Sequence, residues 1–136
     1  MVKKKIVLSR GKRKSAIARA VVKSGKGNIT INKLSVEAYL NNPYLVKLIE
    51  DVVITIGPKM KKLDINVNVK GGGVMGQIDA IRRAIATGVV DYLKDDKLKE
   101  TLQSYDNALI IEDSRRIEPK KDRRKKARAK YQKSYR

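Results

Sequence analysis

Hydrophobic and polar residues alternate most cleanly at 63–70, where Leu63, Ile65, Val67 and Val69 interleave with Asp64, Asn66, Asn68 and Lys70. A period of two places each set on its own face, so the pattern predicts a half-buried strand. Strands are also predicted over 3–9, 16–23 and 28–32. In the second of these, Ala18, Ala20 and Val22 take one face and Ile17 and Val21 the other. Residues 10–15 read as a first turn carrying Arg10, Lys12, Arg13 and Lys14, and 24–27 as a second. The first three strands would then form an antiparallel meander.

Elsewhere the spacing lengthens to three and four. Asn42 can cap a helix that starts at Pro43, with Tyr44, Leu45, Leu48 and Ile49 as its apolar stripe. The β-branched run at 52–56 predicts that this helix gives way before Gly57 and Pro58. Val74, Ile78, Ile81, Ile85, Val89 and Leu93 predict an amphipathic helix of about five turns, with Gln77, Arg82 and Arg83 on its other face. A short helix starting at Asp95 or Asp96 would bury Leu98 and Leu102, and 108–111 is a last apolar segment. Beyond Asp113 the only large aliphatic residue is Ile117. The chain therefore divides into a globular α+β domain over 1–113, with a basic first hairpin, and a basic extended tail over 114–136.

Charge turns this fold class into a functional expectation. The 136 residues carry a net +19, distributed unevenly. Residues 1–36 hold 11 Lys/Arg and no acid, 37–113 hold 10 against 12 acids, and 114–136 hold 12 against 2. Two polycationic ends around a near-neutral middle point to a polyanion, and nucleic acid fits better than a membrane. An amphipathic membrane-surface helix wants Trp, Phe or Leu on one face, and the chain has no Trp and no Phe. No apolar run approaches the roughly 18 residues of a membrane span, and the N-terminal apolar stretch is too short for a signal peptide, so a cytoplasmic location is expected. Cysteine and histidine are both absent, which excludes disulfides, thiolate metal sites and histidine acid–base chemistry. No cofactor and no small-molecule substrate are expected.

The stretch Gly71-Gly72-Gly73-Val74-Met75-Gly76 matches G-x-G-x-x-G between a strand and a helix, the context of a dinucleotide site. Asp91 has the spacing of the ribose-binding acid, but it falls inside the predicted helix with no second parallel strand before it. A phosphate loop fails because Gln77 and Ile78 stand where Lys and Ser/Thr are needed. A tight turn requiring positive φ usually needs one glycine. Four within six residues suggest bare amides at a helix N-terminus facing phosphate oxygens, with Lys70 before them and Arg82 and Arg83 after. The paired acids Glu50-Asp51, Asp95-Asp96 and Glu112-Asp113 read as surface charges or helix caps, so no enzyme is expected.

Three segments together carry a resemblance: GKRKSAIARA at 11–20, KGGGVMGQIDAIRRAIA at 70–86, and EPKK with ARAKYQKSYR at 118–136. In this order they are similar to the family of the ninth protein of the small ribosomal subunit, and QKSYR resembles its archaeal and eukaryotic branch. The resemblance implies a four-stranded mixed sheet with helices packed on one side, and a left-handed βαβ crossover where pattern rules favour a right-handed one. It implies a structural constituent of the small subunit, bound in the head to the 3′ major domain of ribosomal RNA beside neighbouring head proteins. By motif, Lys12, Arg13, Lys14, Ser15, Gly71, Gly72, Gly73 and Gln77 would face ribosomal RNA. Position and charge add Arg10, Lys70, Arg82 and Arg83, and in the tail Arg115, Arg116, Lys120, Lys121, Arg123, Arg124 and Arg128. Lys133, Ser134, Tyr135 and Arg136 would reach transfer RNA in the P site. Tyr131 and Tyr135 offer rings that could stack on bases or riboses of RNA. Many relatives carry glycines after EPKK, whereas here Asp122, Arg123, Arg124, Lys125 and Lys126 fill that space. Like-charge pairs such as Arg124/Arg128 oppose a helix there. The alternatives are a DNA- or RNA-packaging protein outside the ribosome and a nucleotide-binding enzyme.

Overall fold

The computed structural model describes residues 5–135. Its order is β1 (Ile6–Arg13), β2 (Ala16–Ser24), β3 (Ile29–Ile31), β4 (Leu34–Ser35), α1 (Val36–Tyr39), α2 (Pro43–Ile56), a 3-10 turn (Gly57–Lys62), β5 (Leu63–Lys70), α3 (Val74–Leu93), α4 (Asp96–Tyr105) and a 3-10 turn (Asn107–Leu109). The class is α+β, as expected, with one mixed sheet of five strands rather than four. The fifth is the two-residue β4, too short to show as a period in sequence. Of the strand expected over 3–9, residues 3 and 4 lie outside the described residues.

The sheet runs β1-β2-β5-β3-β4, and this order corrects the meander. β2 pairs along its length with β5, antiparallel, from Ile17 opposite Lys70 to Ser24 opposite Leu63. The three-residue β3 lies on the far side of β5 and is parallel to it. The reason is length: β5 offers β2 a full ladder, whereas β3 offers three residues. The crossover therefore connects β3 to β5 and carries β4, α1 and α2.

The alternation seen in sequence sets the faces. Ala16, Ala18, Ala20 and Val22 of β2 and Leu63, Ile65, Val67 and Val69 of β5 are buried under the helices, while Asn66, Asn68 and Lys70 face out. α3 supplies the opposing surface with Ile78, Ile81, Ile85 and Val89, all buried. It packs on β1 through small residues. Gly11 lies so near it that a Cβ there would meet the Ala80 carbonyl oxygen at 1.9 Å, and Ser9 donates to the Ala84 carbonyl at 2.6 Å. Gly11 is thus a packing glycine within a strand, not a turn residue. Pairing of β1 with β2 continues to Arg13 opposite Ala16, leaving Lys14 and Ser15 alone as the turn, with Lys14 at φ 53°.

The other elements follow their local signals. Asn42 caps α2 by accepting from the Tyr44 amide at 3.0 Å, and α2 stops at Gly57. Tyr44, expected in the buried stripe, is exposed, because it occupies the first turn ahead of the packed Ile49, Val52 and Ile56. Asp95 caps α4, which buries Leu98 and Leu102. Among the described residues Leu109 is the last buried apolar side chain, and Ile117 is exposed. No helix forms at 124–130; a single antiparallel bridge joins Arg124 and Lys130 there.

Candidate nucleic-acid interface

Two of the three signature segments meet at one end of the sheet. The chain leaves β5 through Gly71 at φ 77° and Gly72 at φ 69°, conformations that cost little only for glycine. Both press on the β1–β2 turn. A Cβ on Gly71 would lie 2.7 Å from the Ser15 carbonyl oxygen, and one on Gly72 would lie 2.8 Å from the Ala16 Cβ. Gly73, which precedes α3, has ordinary φ and open space around its Cβ position. The glycine run therefore serves two ends. Gly71 and Gly72 let the turn pack, and Gly73 leaves backbone bare at the positive end of a 20-residue helix.

Polar side chains hold this turn from both sides. Asn32 accepts from the Val69 amide at 2.9 Å and donates to the Val69 carbonyl at 3.2 Å. Gln77 donates to the Gly71 carbonyl at 3.1 Å, and its own carbonyl oxygen accepts from the Tyr39 hydroxyl at 2.6 Å. Gln77, expected to face RNA, has its amide occupied as a brace. Asn32 and Tyr39 drew no attention in sequence, because nothing local marks a side chain whose partner lies 37 or 38 positions away.

The cations separate into two groups. Arg10, Lys14 and Lys70 are exposed and Lys12 is half-buried around the hairpin and glycine turns. Arg13, Arg82 and Arg83 turn inward, with side chains 19%, 13% and 16% exposed. Arg13 lies 2.6 Å from Asp113 and 3.7 Å from Asp79. Arg82 lies 3.4 Å from Asp106, and Arg83 lies 3.7 Å from Glu112 while donating to the Ile110 carbonyl at 3.3 Å. The three arginines with Asp79, Asp106 and Asp113 line a cleft of 190 Å³. Arg82 and Arg83, expected on an open polar face of α3, instead face a layer formed by the chain after α4.

The acids of this layer are distant in sequence and look like surface charge when read alone. Burial pushes the Asp79 carboxyl up, against the pull of Arg82 and Arg13. Asp113 is held well below the usual carboxylate range, first by the Arg115 side chain and backbone and then by Arg13. Glu112 and Asp113 thus tie the root of the tail to β1 and α3.

Past the root, most tail cations are exposed. Arg115 folds back on Asp113, Arg116 reaches Glu112 at 3.6 Å, and Lys121 and Arg128 both bond Glu118. Lys120 and Arg123 are exposed, and Arg124 is half-buried beside its bridge. Lys133, Ser134 and Tyr135 are exposed at the tip. Arg136 lies outside the described residues. Among those described, no helix is long and apolar enough to cross a membrane.

The nucleotide-enzyme reading loses its support in this geometry, since Asp91 is an exposed residue within α3 and not at the end of a strand that follows the helix. Residues 11–136 match the family described as ribosomal protein S9/S16. Among similar proteins, the small ribosomal subunit protein uS9 of Thermoplasma volcanium is 52% identical over 136 residues, covering 96% of this chain and 98% of the relative. The protein of the same name from Desulfurococcus amylolyticus is 46% identical, covering 97% and 94%. That from Methanothrix thermoacetophila is 46% identical, covering 97% and 99%. A match that takes in the hairpin, the glycine turn and the tail together, at this identity, establishes that the chain belongs to the S9 family of ribosomal proteins.

Proposed function

We propose that this chain is a structural constituent of the small ribosomal subunit and has no catalytic role. It works in the cytoplasm, within the ribosome, bound to small-subunit ribosomal RNA. The observation that carries this is the convergence of the β1–β2 turn and the glycine turn, which brings exposed Lys14 and Lys70 and bare backbone at Gly73 to one end of the sheet. RNA phosphates supply the counter-charge that a +19 chain lacks. The relatives' shared name supports the assembly. The finer reading is that the site lies in the 3′ major domain of the head beside other head proteins, with a globular part over 1–113 and a basic tail over 114–136 whose tip touches P-site transfer RNA.

Sedimentation through a gradient in high salt tests the assembly: the chain should travel with small subunits, and recovery in the free fraction overturns the proposal. Deleting residues 134–136 tests the tip. Subunits should assemble at normal yield and hold P-site transfer RNA more weakly at matched salt, because Arg136 offers phosphate a bidentate contact. Equal affinity would leave the tip a solvated end.

A further inference from the structure

The face of the sheet away from the helices is divided along its length. Strand register sets Lys12, Ile17 and Lys70 side by side across β1, β2 and β5, and beside them Arg10, Arg19 and Asn68. These two rows lie next to the Lys14–Ser15 turn and contain four cations and no acid. The two rows beyond them hold Leu8, Val21 and Asn66, then Ile6, Lys23 and Asp64. A cationic half and a half of mixed apolar and polar residues thus share one open surface.

Arg10 and Arg19 stand directly opposite each other on paired strands, an arrangement that costs stability in the free protein. Arg10 belongs to the edge strand, and its guanidinium comes within 4.0 Å of Glu112. Arg19, on the interior strand β2, is exposed. With Ser15, Ile17, Asn68, Lys70 and Gly71 it lines a concavity of 430 Å³ that has no acid in its wall.

We propose that Arg19, Lys70 and Asn68 form a phosphate-binding site for an RNA backbone that crosses the open face of the sheet. Neither Arg19 nor Asn68 was among the candidate residues, and the site extends the interface from the two turns onto the sheet. It rests on the RNA-binding reading above. The chemistry favours backbone over bases: the two rows carry no aromatic ring on which a base could stack. A guanidinium fork matches phosphate geometry, the Lys70 ammonium adds charge, and the Asn68 amide and Ser15 hydroxyl add neutral donors. Phosphate between the opposed arginines also relieves the repulsion that the free fold carries.

The test is the salt dependence of binding to purified small-subunit ribosomal RNA. Arg19→Gln with Lys70→Gln should make the log–log slope shallower by about two, while Lys47→Gln on α2 leaves it unchanged. Thermal unfolding of free Arg19→Gln should show a Tm equal to or above that of the wild type, since a repulsive pair is removed; a lowered Tm would mark Arg19 as structural and overturn the site. An unchanged slope for the double variant against a steep wild-type slope overturns the site and leaves RNA binding intact. A wild-type slope near zero removes both. Loss of crosslinks to a neighbouring subunit protein with the RNA slope intact would assign the face to protein and overturn the proposal.

Discussion

Arg13 and Lys14 are adjacent in sequence, yet they do opposite things. The Arg13 side chain turns under the sheet into a cluster with Asp79 and Asp113, and Lys14 projects from the turn into solvent. The same division runs through the candidate set. Arg13, Arg82 and Arg83 spend their charge inside the molecule, holding β1, α3 and the tail root together, whereas Lys14, Lys70 and Arg19 are exposed and, among the described residues, pair with no acid. Cationic character alone therefore does not identify an RNA contact. Strand alternation sorts the cations by face: β1 puts Ser9, Gly11 and Arg13 toward the helices and Arg10 and Lys12 away from them.

The largest expected effect comes from breaking the inward group. Arg83→Met should cost about 1–3 kcal/mol of stability, because Glu112 and the Ile110 carbonyl lose a partner in a partly buried layer. Its RNA salt slope should stay near that of the wild type. Lys14→Asn should do the reverse, since asparagine tolerates the left-handed conformation of the turn. Stability should hold and the slope should fall by about one. Paired denaturation and salt titrations decide the matter; similar profiles for the two variants would abolish the distinction.

The glycines sharpen the comparison. Gly72→Ala should destabilise the free protein by about 1–2 kcal/mol, from positive φ and the contact with Ala16. Gly73→Ala meets nothing, so it should fold normally and still assemble less well if backbone there approaches phosphate. Normal assembly of Gly73→Ala would confine the glycine run to packing.

Acidification gives the smallest effect and separates two carboxylates of one cluster. Asp113 has its carboxyl lowered from 3.8, so its stabilisation is complete above that value and is lost as pH falls through the folded value. Asp79 has its carboxyl raised, so the native state takes up a proton there more readily than the unfolded chain, and acidification relieves its burial. Between pH 7 and 3, Asp79→Asn should lose more stability than the wild type and Asp113→Asn less. Chemical denaturation at the two pH values measures both differences.

Local chemistry made much of the molecule legible. The period-2 pattern of β5, the three- and four-residue spacing of α3, and the Asn42 and Asp95 caps each act within a turn or a strand, so their residues suffice to show them. The sharp rise in charge after Asp113 and the glycine turn between β5 and α3 were equally plain. Of the candidate interface, the exposed Lys14 and Lys70 and the bare Gly73 were visible from sequence. The inward fate of Arg13, Arg82 and Arg83 was not, and neither was the brace formed by Asn32, Tyr39 and Gln77.

What escaped the pattern depends on pairing between distant segments. Nothing local tells β2 to choose β5 over β3; the choice follows from ladder length and from the shared alanine and valine rows beneath α3. Once β5 lies beside β2, the glycine turn must meet the β1–β2 turn, and Arg19 must stand beside Asn68 and one row from Lys70. Gly11 shows the same dependence: beside Arg10 and Lys12 it reads as a turn, and only the approach of Ala80 shows that the helix needs the space a side chain would fill. Hydrophobic period can be read along the chain because each residue's preference for water is its own. Charge partners and close packing depend on two positions at once, and here those positions meet only after the sheet has formed.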